Sequence, residues 1–157
     1  MAADPAQRLE LDLSYASRSP WVPSPRQLAK WARGALASQR SCARVVLSLR
    51  IVGKARSRSL NARYRKKDRP TNVLSFAGAG TAPDGRLFLG ELVICAAIVA
   101  AEARAQQKQL EAHWAHMVVH GVLHLSGFDH ERLSDAKKMA LREIQILDRL
   151  GVSNPYR

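Results

Sequence analysis

A chain of 157 residues is the size of one domain, and it is long enough to bury about two thirds of the surface its unfolded form exposes. Lys and Arg outnumber Asp and Glu by 25 to 13, a formal net charge of +12 with a pI near 10.7, which points to a polyanionic partner: RNA, DNA or an anionic membrane surface. The longest apolar run, Leu92 to Ala101, is half of what a membrane span needs. Cys42 and Cys95 stand far apart and the first residues carry an early acid and proline in place of an apolar leader, so a soluble cytoplasmic protein with reduced thiols is expected.

Residues 8–13 alternate polar and apolar, the period of a half-buried strand. A connection with three prolines follows, and Pro25 behind Ser24 opens a helix whose Leu28, Trp31, Ala32, Ala35 and Leu36 recur at helical spacing to about Gln39. Val45, Leu47, Leu49 and Ile51 alternate as a second strand, stopped by Gly53. From Lys54 to Arg69 the chain holds eight Lys or Arg against one acid, Asp68, with a short helix expected over residues 57–65 and phosphate contact expected of the cluster. Pro70-Thr71-Asn72 is a turn, residues 73–76 a short strand, and Gly78 to Gly85 a loop or hairpin turn. Another strand runs from Leu87 to Ile94. Three helices follow: an alanine-rich one to Gln109, one from Glu111 to Gly127, and one that starts at Ser134 and Asp135 and runs to Gly151. A run of strands followed by a run of helices predicts an α+β single domain over 1–157, with a mixed sheet of about four strands packed against helices; connectivity within the sheet is not legible.

The densest chemistry is His120-Gly-Val-Leu-His124-Leu-Ser-Gly127-Phe-Asp-His130. Residues four apart share a helix face, so His120 and His124 can converge on one ion, and a glycine at 127 lets the chain turn so that His130 supplies a third nitrogen. Three protein ligands on a tetrahedral ion leave one position open, the mark of a catalytic zinc site. His116 extends the stripe, but two i to i+4 steps separate it from His124 by about 12 Å, too far to share an ion with bonds of about 2.1 Å. It is expected to support the site, relay protons or pack in the core. His113 is expected at the surface, and Asp129 either orients a ligand imidazole or lies in an exposed turn.

The histidine spacing is that of the metzincin proteases, H-E-x-x-H-x-x-G-x-x-H, with Gly121 where those enzymes carry their glutamate base. Peptide hydrolysis by their route thus lacks its proton acceptor. A phosphodiester asks for less: a divalent ion can make hydroxide available and polarise a phosphoryl oxygen without a dedicated carboxylate. The remaining need is a cation for the charge that gathers at phosphorus. Arg63, Arg65 and Arg69 all qualify by position. Phe76 and Asn72 are candidates to stack on and hydrogen-bond a base, with core packing the alternative for Phe76.

Several blocks in one order carry a resemblance: Leu60-Asn61, Tyr64-Arg65, Pro70-Thr-Asn-Val-Leu-Ser-Phe76, Gly90-Glu-Leu-Val-Ile94, and Trp114-Ala-His-Met-Val-Val-His120 running into the histidine motif. Over most of residues 45–150 the sequence resembles the YbeY family, bacterial metal-dependent endoribonucleases of ribosomal RNA maturation. The resemblance implies one Zn2+ or other divalent ion per chain on His120, His124 and His130, with the metal helix lying under the sheet. It singles out Arg65 as the catalytic arginine. It further implies single-stranded RNA and rRNA as partners, no DNA or membrane, 3′-end maturation of 16S rRNA, ribosome quality control, and the small ribosomal subunit as the setting. Ala77 departs from the proline that often follows Ser-Phe in that family, which bears on a loop bend and not on the chemistry. Two other functions fit part of the pattern, a non-catalytic RNA-binding assembly factor with a structural zinc and a metalloprotease.

Overall fold

The computed structural model describes residues 9–37, 44–127 and 133–157. Its elements follow the order that the periodicity predicts: β1 (Leu9–Tyr15), α1 (Pro25–Ala37), β2 (Val45–Val52), α2 (Lys54–Arg65), β3 (Val73–Thr81), β4 (Leu87–Cys95), α3 (Ala96–Ala105), α4 (Leu110–Leu125) and α5 (Leu133–Arg149). The start of α1 is held by a reciprocal pair: the Gln27 amide nitrogen donates to Ser24 Oγ at 3.2 Å, and the Ser24 nitrogen donates to Gln27 Oε1 at 3.0 Å.

The four strands form one mixed sheet in the order β1-β2-β4-β3. β1 and β4 flank β2 in parallel, with Leu9 opposite Val45 and Leu49 opposite Leu92, while β3 returns antiparallel to β4 with Ser75 opposite Leu92. The inserted place of β4 between β2 and β3 is what the sequence leaves unread, since period and turn residues say nothing about which strands pair. The glycine-rich stretch expected to be loop from Gly78 is partly strand: β3 continues to Thr81 past a register shift between Ala77 and Gly80. A Cβ at Gly78 would lie 2.1 Å from the Phe88 carbonyl oxygen, so here glycine serves close strand approach and not a turn.

Alternation in β2 and β4 sorts side chains to two faces. Leu47, Leu49, Ile51, Leu92 and Ile94 point into the main core with Leu28 and Trp31 of α1, Trp114, Val118 and Val122 of α4, and Ile146 and Leu147 of α5. Each fully buried aliphatic side chain there contributes about 1.5–3 kcal/mol relative to exposure. On the opposite face a smaller cluster of Val52, Leu74 and Val93 packs with Leu60 and Phe76, which seats α2.

The central helix α4 touches α1, α3, α5 and the sheet, which is why it is apolar nearly all round despite its histidines. Its approach to the sheet is set by Gly121, where a Cβ would stand 2.8 Å from Leu92 Cδ2. Gly121→Ala is therefore expected to lower stability by about 1–3 kcal/mol through overpacking, read as a fall in the thermal midpoint. No helix among the described residues is long and apolar enough to cross a membrane.

Candidate functional site

Three elements converge on a cleft of about 520 Å³: α4 with His116, His120, Gly121 and His124; the end of α2 and the turn after it with Arg65, Lys67 and Arg69; and β3 with Ser75. The turn is tied to α2 by side chains buried beneath it. Ser57 Oγ donates to the Thr71 carbonyl at 3.1 Å and accepts from the Thr71 nitrogen at 2.9 Å, and Asn61 Nδ2 donates to the Arg69 carbonyl at 2.8 Å. These bonds place the basic run along the cleft wall. Arg58 and Asp68, by contrast, pair with each other in solvent at 2.8 Å.

Arg65 is fixed by its neighbours. Its Nη2 donates to the Ser75 carbonyl at 2.7 Å, and its guanidinium carbon lies 5.3 Å from the centre of the Phe76 ring. His120 and His124 stand one turn apart on the stretch of α4 that lines the same cleft, and Gly127 follows with φ +102°, the conformation the expected turn requires. The structure thus brings together two of the three predicted metal ligands and the predicted arginine. His130 and Asp129 lie outside the described residues, as does Cys42.

Behind His120 lies a group that spacing did not reveal. Glu143 of α5 is 0 % exposed and accepts from His120 Nδ1, from His116 Nε2 at 3.0 Å and from the Tyr156 hydroxyl. Burial pushes this carboxyl up, but the His116, His120 and Tyr156 donors outweigh it and hold the group at about 2, so it is ionised. The phenol of Tyr156 is raised well above its ordinary range by burial and by the Glu143 carboxylate beside it. An ionised carboxylate can only accept, which assigns the proton to Nδ1 of His120 and makes Nε2 the nitrogen that this ring would present to an ion.

A metal fits this donor set. The ligand atoms of His116, His120 and Glu143 lie within 4.8 Å of one another and could hold an ion themselves. Both Glu143 oxygens are, however, engaged by protein donors, and that carboxylate is sealed from solvent, whereas His120 and His124 line the open cleft. The buried negative charge behind an imidazole is the arrangement that orients a histidine and raises its basicity toward a cation. Imidazole donors suit zinc and neighbouring first-row divalent ions.

Two expectations are corrected. His113 is buried, 3 % exposed, because it continues the inward stripe of α4, and its Nε2 donates to Glu102 at 3.1 Å. Asn72 does not present a free amide to a base: its Nδ2 donates to both Glu102 oxygens at 3.2 Å, and its Oδ1 accepts from the Val73 nitrogen at 2.6 Å. The Glu102 carboxyl is held below its usual range by the hydrogen bond from His113, with a smaller contribution from Asn72. A glutamate at Gly121 would press on the core, since its Cβ position lies 2.8 Å from Cδ2 of the buried Leu92 and that side chain would have to shift.

The model of the family described as endoribonuclease YbeY matches residues 18–151. Among solved structures, the chain is similar to the solution structure of TM1509 from Thermotoga maritima, with 22 % identity and a TM-score of 0.55, covering 90 % of this chain and 92 % of that one. At that identity the likeness speaks for the fold.

Proposed function

The chain belongs to the YbeY family of endoribonucleases, and from that membership we propose a metal-dependent enzyme that cuts single-stranded RNA during ribosomal RNA processing, with the 3′ end of 16S rRNA on the small subunit as its target. The observation that carries the reading is one cleft with His120 and His124 from α4, the cations Arg65, Lys67 and Arg69, and no carboxylate among its described lining residues. That wall repels nothing about a phosphodiester and offers three cations to it.

His120, His124 and His130 are the proposed ligands of one Zn2+, and Glu143 holds the His120 tautomer from behind. When bound, the ion would supply Lewis acidity toward water and a phosphoryl oxygen. The chain's own residues do the rest. Lys67 and Arg69 hold the flanking phosphates, and Arg65, preset by the Ser75 carbonyl, turns its remaining N–H groups to the oxygens on which negative charge builds. Because Arg65 is positioned before substrate arrives, little ordering is left for the moment of reaction.

Purified protein is expected to cleave an unstructured RNA, to stop when a chelator is added, and to resume when zinc is returned. A chelated protein that loses thermal stability but had no cleavage to lose would identify an assembly factor with a structural ion. Arg65→Ala is expected to lower kcat by about 10²–10³-fold. Arg65→Lys recovers part of the rate, since charge survives without the planar fork. A normal rate for Arg65→Ala removes the arginine from the chemistry.

A further inference from the structure

On the other side of Arg65, away from the histidines, the surface changes character. Tyr64 is 49 % exposed, and it meets Phe76 edge-on with centroids 5.2 Å apart. The Arg63 guanidinium carbon lies 5.3 Å from the Tyr64 ring centre. The two rings face a concavity of about 320 Å³ that Arg50 and Arg56 also line. The one acid among its described lining residues, Glu91, is paired with Arg50 at 2.6 Å.

Aromatic faces with guanidinium groups beside them are how proteins hold single-stranded nucleic acid without reading its sequence: bases stack on the rings and phosphates meet the cations. The connection to the cleft is physical. Leu74 and Phe76 point to the α2 face of the sheet, and Arg65 reaches over β3 to the Ser75 carbonyl while lying against Phe76. A strand whose phosphate sits at Arg65 therefore has its next nucleotide within reach of Tyr64.

We propose that Tyr64 and Phe76, with Arg50, Arg56 and Arg63 around them, form a stacking subsite for a nucleobase adjoining the scissile phosphate of single-stranded RNA. This rests on the endoribonuclease reading above and adds a requirement to it: the substrate must be unpaired at that nucleotide, because a base in a duplex cannot lie on the ring. The occupant is RNA and not a protein partner, since the cations around the rings outnumber the one neutralised acid.

The test uses the full chain and a set of unstructured RNA oligonucleotides, each with one abasic position stepped along either side of the cut. Tyr64→Ala is expected to raise KM roughly 5- to 150-fold and to lower kcat by less, with Tyr64→Trp restoring binding. One abasic position is expected to weaken wild type by a similar factor and to cost Tyr64→Ala nothing further, a coupling that a merely structural role of the tyrosine would not produce. Intact cleavage with an unchanged KM, or losses that simply multiply at every abasic position, overturns the subsite and leaves the nuclease standing. If wild type cuts no RNA, the nuclease reading fails instead. Quenching of a 2-aminopurine placed along an uncut oligonucleotide then decides the subsite: quenching lost in Tyr64→Ala supports it, and no quenching in wild type overturns it.

Discussion

His124→Ala is expected to abolish metal-dependent cleavage, by 10³-fold or more on the order of a lost catalytic ion, while RNA binding and its salt dependence persist. The side chain is half-buried near the end of α4, and alanine is the best helix former, so the fold should change little in stability. The basic run over residues 54–69 is untouched, and it supplies the counterion release that makes binding salt-sensitive. Metal content by elemental analysis should fall from one ion per chain to well below one. His116→Gln sharpens the assignment, because its amide can still donate to Glu143. Metal kept in His116→Gln and lost in His124→Ala places the ion in the cleft; the reverse assigns it to His116, His120 and Glu143.

Glu143 should show the largest combined effect on folding and metal binding. Truncation to alanine leaves His116, His120 and Tyr156 without their common acceptor at a position that is 0 % exposed, and removing one member of a buried charged network costs about 3–5 kcal/mol. A fall of many degrees in the thermal midpoint is expected. Glu143→Gln keeps the volume but removes the charge and replaces one of the two acceptor oxygens with an NH2 donor. Its carbonyl oxygen still accepts, but the negative charge behind His120 is gone, and zinc affinity by competition titration should drop about 10- to 100-fold. If Glu143→Gln binds zinc as tightly as wild type, the carboxylate is structural only.

Much of this was legible in the chain and some was not, for identifiable reasons. The order of elements follows from period 2 giving way to period 3.6 at Cys95, and the relation of His120 to His124 follows from the pitch of a helix. Sheet order was hidden because the parallel partners β2 and β4 are far apart in sequence, and nothing local marks the pairing. Glu143 was hidden by distance of another kind: it lies 23 residues beyond His120, on a helix whose charged residues mostly face solvent. A signal existed nonetheless. Met139, Glu143, Ile146 and Leu147 form the buried stripe of α5, and a carboxylate inside such a stripe must have buried donors waiting for it. The same logic applied to α4 would have moved His113 inward, since it sits three residues before His116 on the buried side.

The bond from Arg65 to the Ser75 carbonyl has a second consequence. Among the described residues β3 has a strand neighbour on one side only, β4, so its other margin is an open sheet edge. A charged side chain laid across that margin occupies an acceptor and sets a cation where a foreign strand would have to dock. The arginine proposed to act on phosphate therefore also sets a charge on the open margin of the sheet, the kind of device that disfavours edge-to-edge pairing.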